Sequence, residues 1–211
     1  MSVVGLLVVG LGNPGTRYSH TPHNVGFRVL DRLAPLTTNW SRRLEREGQG
    51  CEGKSEESFD GELLVTRVDE RPLVLLKPLT FMNASGKSVR KAMSFFEISV
   101  QSTLVVHDEL DLPLGAVKLK RGGGEAGHHG LESVSREVGS RDYLRLRVGV
   151  GKPVSGSVSD FLLEPLDQAA EQQLDGALSL ARDAVQLVAR HGIERAMNQV
   201  NRPPAPAVGP S

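Results

Sequence analysis

The chain has 211 residues, 39% hydrophobic and 4% aromatic, and its 25 basic residues balance 25 acidic ones. That length holds one domain with a full core, or barely two; the neutral balance gives no hint of a polyanionic partner, though local patches still could, and scarce aromatics argue against an aromatic base-stacking platform. The single cysteine, Cys51, rules out an intramolecular disulfide and fits a reducing compartment, and with no leader or membrane-length apolar run the expected setting is soluble and cytoplasmic.

Leu6–Gly10 is a short apolar run ended by glycine and reads as a buried strand. It feeds Gly10-Leu11-Gly12-Asn13-Pro14-Gly15, a match to the dinucleotide fingerprint G-x-G-x-x-G. That fingerprint needs a helix at its last glycine and an acid about 20 residues on. Here a polar stretch with Pro22 follows, and Asp31 falls within the amphipathic spacing of Val25–Leu33. The nucleotide reading is therefore weak. Further strands are expected at Leu63–Val68, Leu73–Lys77 and Leu104–His107, and alternating apolar and basic residues predict half-exposed strands at Ala116–Arg121 and Leu144–Val150. Helical spacing recurs at Val89, Ala92, Met93 and Phe96, and at Leu131, Val134 and Val138. It is clearest from Leu166 to Val188, where Leu166, Ala170, Leu174, Leu178, Ala181 and Val185 share one stripe. Interleaved strands and helices predict an α/β sandwich. Glu45–Gly61 is expected to be a loop and residues 202–211 a disordered Pro-rich tail, leaving one domain over residues 1–201.

Four polar clusters follow strands, where open α/β sheets bind ligands. The first holds Asn13 with His23 and Asn24; the second, around Met82, Asn83 and Ser85, also reads as a helix cap. The third is His107-Asp108-Glu109-Leu110-Asp111, in which Asp108 is the carboxylate best placed to accept from an imidazole N–H. The fourth is a glycine loop, Gly122–Gly130, ending in His128 and His129. Neighbouring histidines make a poor chelate, and neither H-E-x-x-H nor G-x-S-x-G occurs, so a metal or a serine nucleophile is not expected. A histidine oriented by an aspartate can instead activate water, with asparagine amides serving a carbonyl or oxyanion. This set suits hydrolysis of an activated ester on a peptide-like group.

Together GLGNPGTRYSHTPHNVGF, KPLTFMNASGKSV, VVHDELDLPLG and GGGEAGHHGL, followed by LRLRVGVGKP, resemble the bacterial-type peptidyl-tRNA hydrolases. The resemblance runs from about Leu6 to Gly151 and implies cleavage of the ester between a peptide and the tRNA 3′ ribose. It also implies no cofactor, a monomer, and a single three-layer α/β/α domain with a twisted mixed β-sheet. By motif, His23 would be the general base and Asp108 its orienting partner. Asn13, Asn83, Tyr18, Met82 and His129 would line or bind substrate. Lys120 and Arg147 would clamp a tRNA phosphate, in keeping with eight Lys/Arg against four acids between Gly115 and Lys152. Three departures stand out: Pro22 where an arginine is usual, His129 where Gly-His-Asn-Gly has asparagine, and Glu125 within the glycine loop. They keep open an alternative, a catalytically weakened RNA-binding protein of the same fold.

Overall fold

The computed structural model describes residues 5–34, 41–46, 55–153 and 155–202, with the side chains of 41–46 and 55–58 outside the description. Seven strands form one mixed sheet in the order β2-β3-β4-β1-β5-β7-β6. These are β1 (Leu6–Gly10), β2 (Ser41–Arg46), β3 (Ser55–Val68), β4 (Arg71–Pro78), β5 (Thr103–Glu109), β6 (Val117–Arg121) and β7 (Leu144–Gly149). β1 lies parallel to β4 and to β5, and β5 parallel to β7. The outer strands β2, β3 and β6 join antiparallel. Every residue of β1 is buried, as expected of a central strand covered on both faces.

The helices are α1 (Val25–Leu33), α2 (Ser85–Phe96), α3 (His129–Val138), α4 (Val158–Leu163), α5 (Gln168–His191) and α6 (Ile193–Val200). On one face of the sheet α1, α5 and α6 pack Val29, Leu178, Val185 and Ala196 onto Val8, Leu75, Leu104 and Leu146. On the other face α2 and α3 pack Val89, Ala92, Leu131 and Val134 onto Val9, Leu76 and Val105. The alternation of β1 and β5 side chains between the two cores is what makes three α/β/α layers. Of the expected stripe α5 buries Leu174, Leu178, Ala181 and Val185; Ala170 is half-buried in its first turn, and Leu166 lies before the helix, whose N-cap is Asp167. Asp167 accepts from Ala170 N–H at 2.8 Å, and Arg190 and His191 occupy the last turn, where the helix dipole favours cations.

One expectation needs correction. Glu45–Gly61 is not wholly a loop: Glu45 and Arg46 pair with Glu56 and Ser55 in the β2–β3 ladder, and β3 runs on through Gly61. A polar edge hairpin has no apolar run to reveal it. Residues 47–54, including Cys51, lie outside the described residues, as does the tail from 203 to 211.

The glycine fingerprint is explained by packing. A Cβ on Gly10 would stand 2.4 Å from the Gly26 carbonyl oxygen, and one on Gly26 would stand 2.3 Å from Leu11 N and 2.6 Å from Val106 O. Glycines here let α1 touch the sheet backbone, and after Gly15 comes a short 3-10 turn, Thr16–Tyr18, instead of a phosphate-facing helix. Asp31 pairs with Lys77. Gly26→Ala is expected to cost about 3 kcal/mol, because the obstacle is backbone and cannot rotate away. A denaturant midpoint unchanged from wild type would contradict this close approach.

Candidate functional site

The parallel strands β4, β1 and β5 are neighbours, so their carboxyl ends set Met82, Asn13 and Asp108 side by side. Above them opens a cavity of about 1220 Å³, whose lining includes Asn13, His23, Met82, Asn83, Asp108 and His129. Lys120 and Arg147 lie on the same wall system. Of the residues expected in the site, Tyr18 alone is outside the lining; it sits in the Thr16–Tyr18 turn with the Arg17 guanidinium 5.6 Å from its ring centre.

Pro22, His23 and Asn24 form a second 3-10 turn just before α1. The departure at Pro22 fits this turn: proline at the first helical position lacks only an N–H that would have had no partner, and its φ suits the turn. His23 Nδ1 lies 2.8 Å from Asp108 Oδ1. A carboxylate can only accept, so Nδ1 carries a proton; in the neutral ring the lone pair is then on Nε2, which has no hydrogen-bond partner among the described residues.

Asn13 is held by its neighbour. Its N–H donates to Asn24 Oδ1, and Asn24 Nδ2 donates to its carbonyl, both at 2.9 Å. Its own Oδ1 accepts from Met82 N–H at 3.0 Å, which leaves Nδ2 as the unengaged donor at the cavity wall. Asn24 was legible only as part of a polar pair; its role as the brace of Asn13 depends on two contacts eleven residues apart in the chain. Asn83 is exposed at the mouth, and its backbone carbonyl accepts from Arg136 at 3.3 Å.

Asp108 is 3% exposed and lies between two imidazoles. Burial opposes its ionisation, but attraction and hydrogen bonding to His128 and His23 hold its carboxyl well below the usual carboxylate range. His128 was read only as half of an unlikely metal pair. Its Nδ1 accepts from Gly130 and Leu131 N–H at 3.1 and 3.3 Å, capping α3, so the proton is on Nε2, which donates to Asp108 Oδ1 at 3.0 Å. His23, Asp108 and His128 are spaced as a cation site could be. Their facing atoms are instead engaged with one another as two donors and one acceptor, which leaves no ligand lone pair on either histidine directed inward. His129, first residue of α3, makes no contact with Asp108 among the hydrogen bonds of the described residues; it is 72% exposed and 3.2 Å from Glu132. The third histidine near Asp108 is His107, whose Nδ1–H donates to the Asp108 carbonyl at 2.6 Å. Burial, reinforced by His128, pushes His107 down to about 3, so its ring is neutral at physiological pH.

The basic wall comes from β6 and β7. Lys118 is opposite Arg147 and Lys120 opposite Arg145, so all four project from one face while Leu119 and Leu146 enter the core beneath. Arg147 Nε donates to Glu109 at 2.9 Å, Lys152 pairs with Asp111 at 2.7 Å, and among the described residues Lys120 has no acidic partner. Arg145 is 3% exposed and donates to the Gly123 and Gly124 carbonyls, tying the glycine loop to the sheet. Glu125 is likewise engaged, with Arg141 at 2.7 Å, so its charge is matched within the loop.

A family profile described as peptidyl-tRNA hydrolase matches residues 7–207. Peptidyl-tRNA hydrolases from a Geobacter species and from Nocardia farcinica are each 44% identical, covering 92% of this chain and 97% and 95% of their own lengths. The crystal structure of peptidyl-tRNA hydrolase from Acinetobacter baumannii superposes with a TM-score of 0.78 at 34% identity, covering 95% of this chain and 96% of that one. Profile, relatives and fold converge, and the chain belongs to the peptidyl-tRNA hydrolase family.

Proposed function

We propose that this protein hydrolyses the ester that joins a peptide, or an N-blocked amino acid, to tRNA, and that His23 is the base. The observation that carries the proposal is the His23–Asp108 pair: an Asp-oriented imidazole at the wall of the cavity with Nε2 unengaged. His23 Nε2 takes a proton from water, and the hydroxide forms its bond to the ester carbonyl carbon. Asp108 stabilises the imidazolium so formed. Asn13 Nδ2, with Asn83 beside it, donates to the carbonyl oxygen as it gains negative charge. Collapse of that intermediate breaks the bond to the ribose oxygen, which leaves with the proton from His23. The products are a free carboxyl group and tRNA.

The cavity exceeds the usual range of small-molecule sites, as a peptide and a terminal nucleoside together would require. Met82 and His129 supply part of its wall. Lys120 and Arg147 are placed to hold a tRNA phosphate, Lys120 as a cation without an acidic partner among the described residues and Arg147 in exchange with Glu109. We take the protein to act as a cytoplasmic monomer through one domain over residues 1–201; among the described residues no helix is long and apolar enough to cross a membrane. The weakened, purely RNA-binding alternative is not favoured: its support came from Pro22 and His129, and Pro22 leaves the His23–Asp108 bond in place.

The test is release of tRNA from an N-blocked aminoacyl-tRNA with EDTA present. Turnover is expected, and its absence would sink the proposal. Lys120→Ala should raise KM and lower the slope of log KM against log salt by about 1, since one phosphate contact is lost. A slope equal to that of wild type would remove Lys120 from the clamp.

A further inference from the structure

Asp108 uses a single oxygen, Oδ1, to accept from both His23 and His128. The two rings lie with centres 5.0 Å apart, and the far side of His128 is fixed by two backbone amides of α3. We propose that His128 is a positioning residue of the hydrolytic site: its Nε2–H pins the Asp108 carboxylate beneath His23 Nδ1 and so fixes the direction of His23 Nε2. The proposal rests on the reading of His23 as base and extends it to the residue that sets its geometry.

The physical need is plain. The terminal torsion of an aspartate is broad, and one bond to His23 alone would let carboxylate and imidazole swing together. A second donor at the same oxygen removes that freedom, provided that the donor cannot itself move. His128 meets the condition because Gly130 and Leu131 N–H point at its Nδ1. The same amides select its state. Protonating Nδ1 would set N–H against N–H at the positive end of the α3 dipole. His128 therefore holds its Nε2–H toward Asp108 while its Nδ1 stays with the two amides of α3. The other groups facing this pair do not compete for Oδ1. His107 of β5 meets the His128 ring edge-on at 5.2 Å and donates to the Asp108 backbone carbonyl. Arg145 of β7 is committed to the loop that carries His128.

Two substitutions separate pinning from capping. In His128→Asn the amide oxygen falls near the Nδ1 position and can cap α3, but nothing reaches Asp108. In His128→Gln the amide nitrogen reaches toward the Nε2 position. We expect His128→Asn to melt within about 2 °C of wild type, to keep its KM, and to lose kcat about tenfold or more. His128→Gln should recover at least part of that kcat. A readout independent of turnover is the NMR signal of the His23 Nδ1 proton, downfield in wild type, broadened or lost in His128→Asn and regained in His128→Gln.

Wild-type kcat with an unchanged His23 signal in His128→Asn would overturn the proposal. So would equal losses in both variants accompanied by lowered melting temperatures, the mark of a purely structural cap. If the wild type turns over no ester, the hydrolase reading fails and the proton signal alone decides the pinning.

Discussion

His23→Ala is expected to lower turnover by about 10²–10⁴-fold, the range that general-base catalysis contributes, with the fold and tRNA binding retained. His23 sits in a 3-10 turn whose start is fixed by Pro22 and whose end is braced through Asn24 to the Asn13 backbone. None of these supports passes through the imidazole. What disappears is the imidazole nitrogen that the buried Asp108 carboxylate orients and that has no hydrogen-bond partner among the described residues. Asp108 then remains buried with His128 as its one side-chain donor, so a modest loss of stability should accompany the loss of rate. His23→Gln is the sharper comparison, because an amide can refill the space without accepting a proton. The measurement is single-turnover hydrolysis of an N-blocked aminoacyl-tRNA beside a binding isotherm for deacylated tRNA. A variant that hydrolyses within a factor of a few of wild type would remove His23 as the base. A variant that also fails to bind tRNA would move its role from chemistry to recognition.

How far such a site is legible in sequence depends on what each residue answers to. The central strands were readable because burial on both faces leaves unbroken apolar runs, Leu6–Val9 in β1, Leu73–Leu76 in β4 and Leu104–Val106 in β5. The helices α1, α2, α3 and α5 were readable because each has one buried stripe. The β2 strand SRRLER and the Ser/Glu-rich start of β3 were not, since an edge hairpin satisfies its ladder with backbone groups and needs no apolar face. Short α4 carries no buried residue, and α6 buries only Ile193 and Ala196, too few for a periodicity to emerge.

The site divides along the same line. Asp108 was signalled locally, as a carboxylate at the end of an apolar strand. Its partnership with His23, 85 residues away, was available only through resemblance. His128 and His129 are adjacent, yet one turns inward to Asp108 and the other outward to Glu132. The clue that was there, a residue at the N-cap of α3, predicts that one of the two rings spends a nitrogen on backbone amides. Arg145 looked like one more basic residue on an alternating strand, but a side chain 3% exposed is a structural tie, and only the glycine loop folding back reveals it.

Acid should destabilise this protein earlier than carboxylate chemistry alone would allow, and His107 is the reason. Its folded-state value of about 3 lies far below the ordinary 6.5, because burial excludes the charged ring and His128 adds to the effect. The unfolded chain therefore binds a proton that the folded chain refuses whenever the pH lies between those values. Stability is fully present above about 6.5 and is lost as pH falls toward 3, by up to about 1.4 kcal/mol per pH unit. The contribution is about 2–3 kcal/mol between pH 6.5 and 4.5 and reaches about 4–5 kcal/mol by pH 3. Asp108, whose carboxyl is depressed, acts in the same direction but only below about pH 4, so the window from 6.5 to 4.5 isolates the histidine. His107→Asn keeps a donor for the Asp108 carbonyl and has nothing to protonate. Urea unfolding at pH 7, 6, 5 and 4.5 should give a shallower loss of stability for His107→Asn than for wild type, by about 2 kcal/mol across the range. Parallel curves would mean that His107 is open to water and protons. The consequence reaches the active site, for a charged ring beside Asp108 would compete for the carboxylate that His23 needs. Burying His107 keeps that charge available to His23 until the pH falls toward 3.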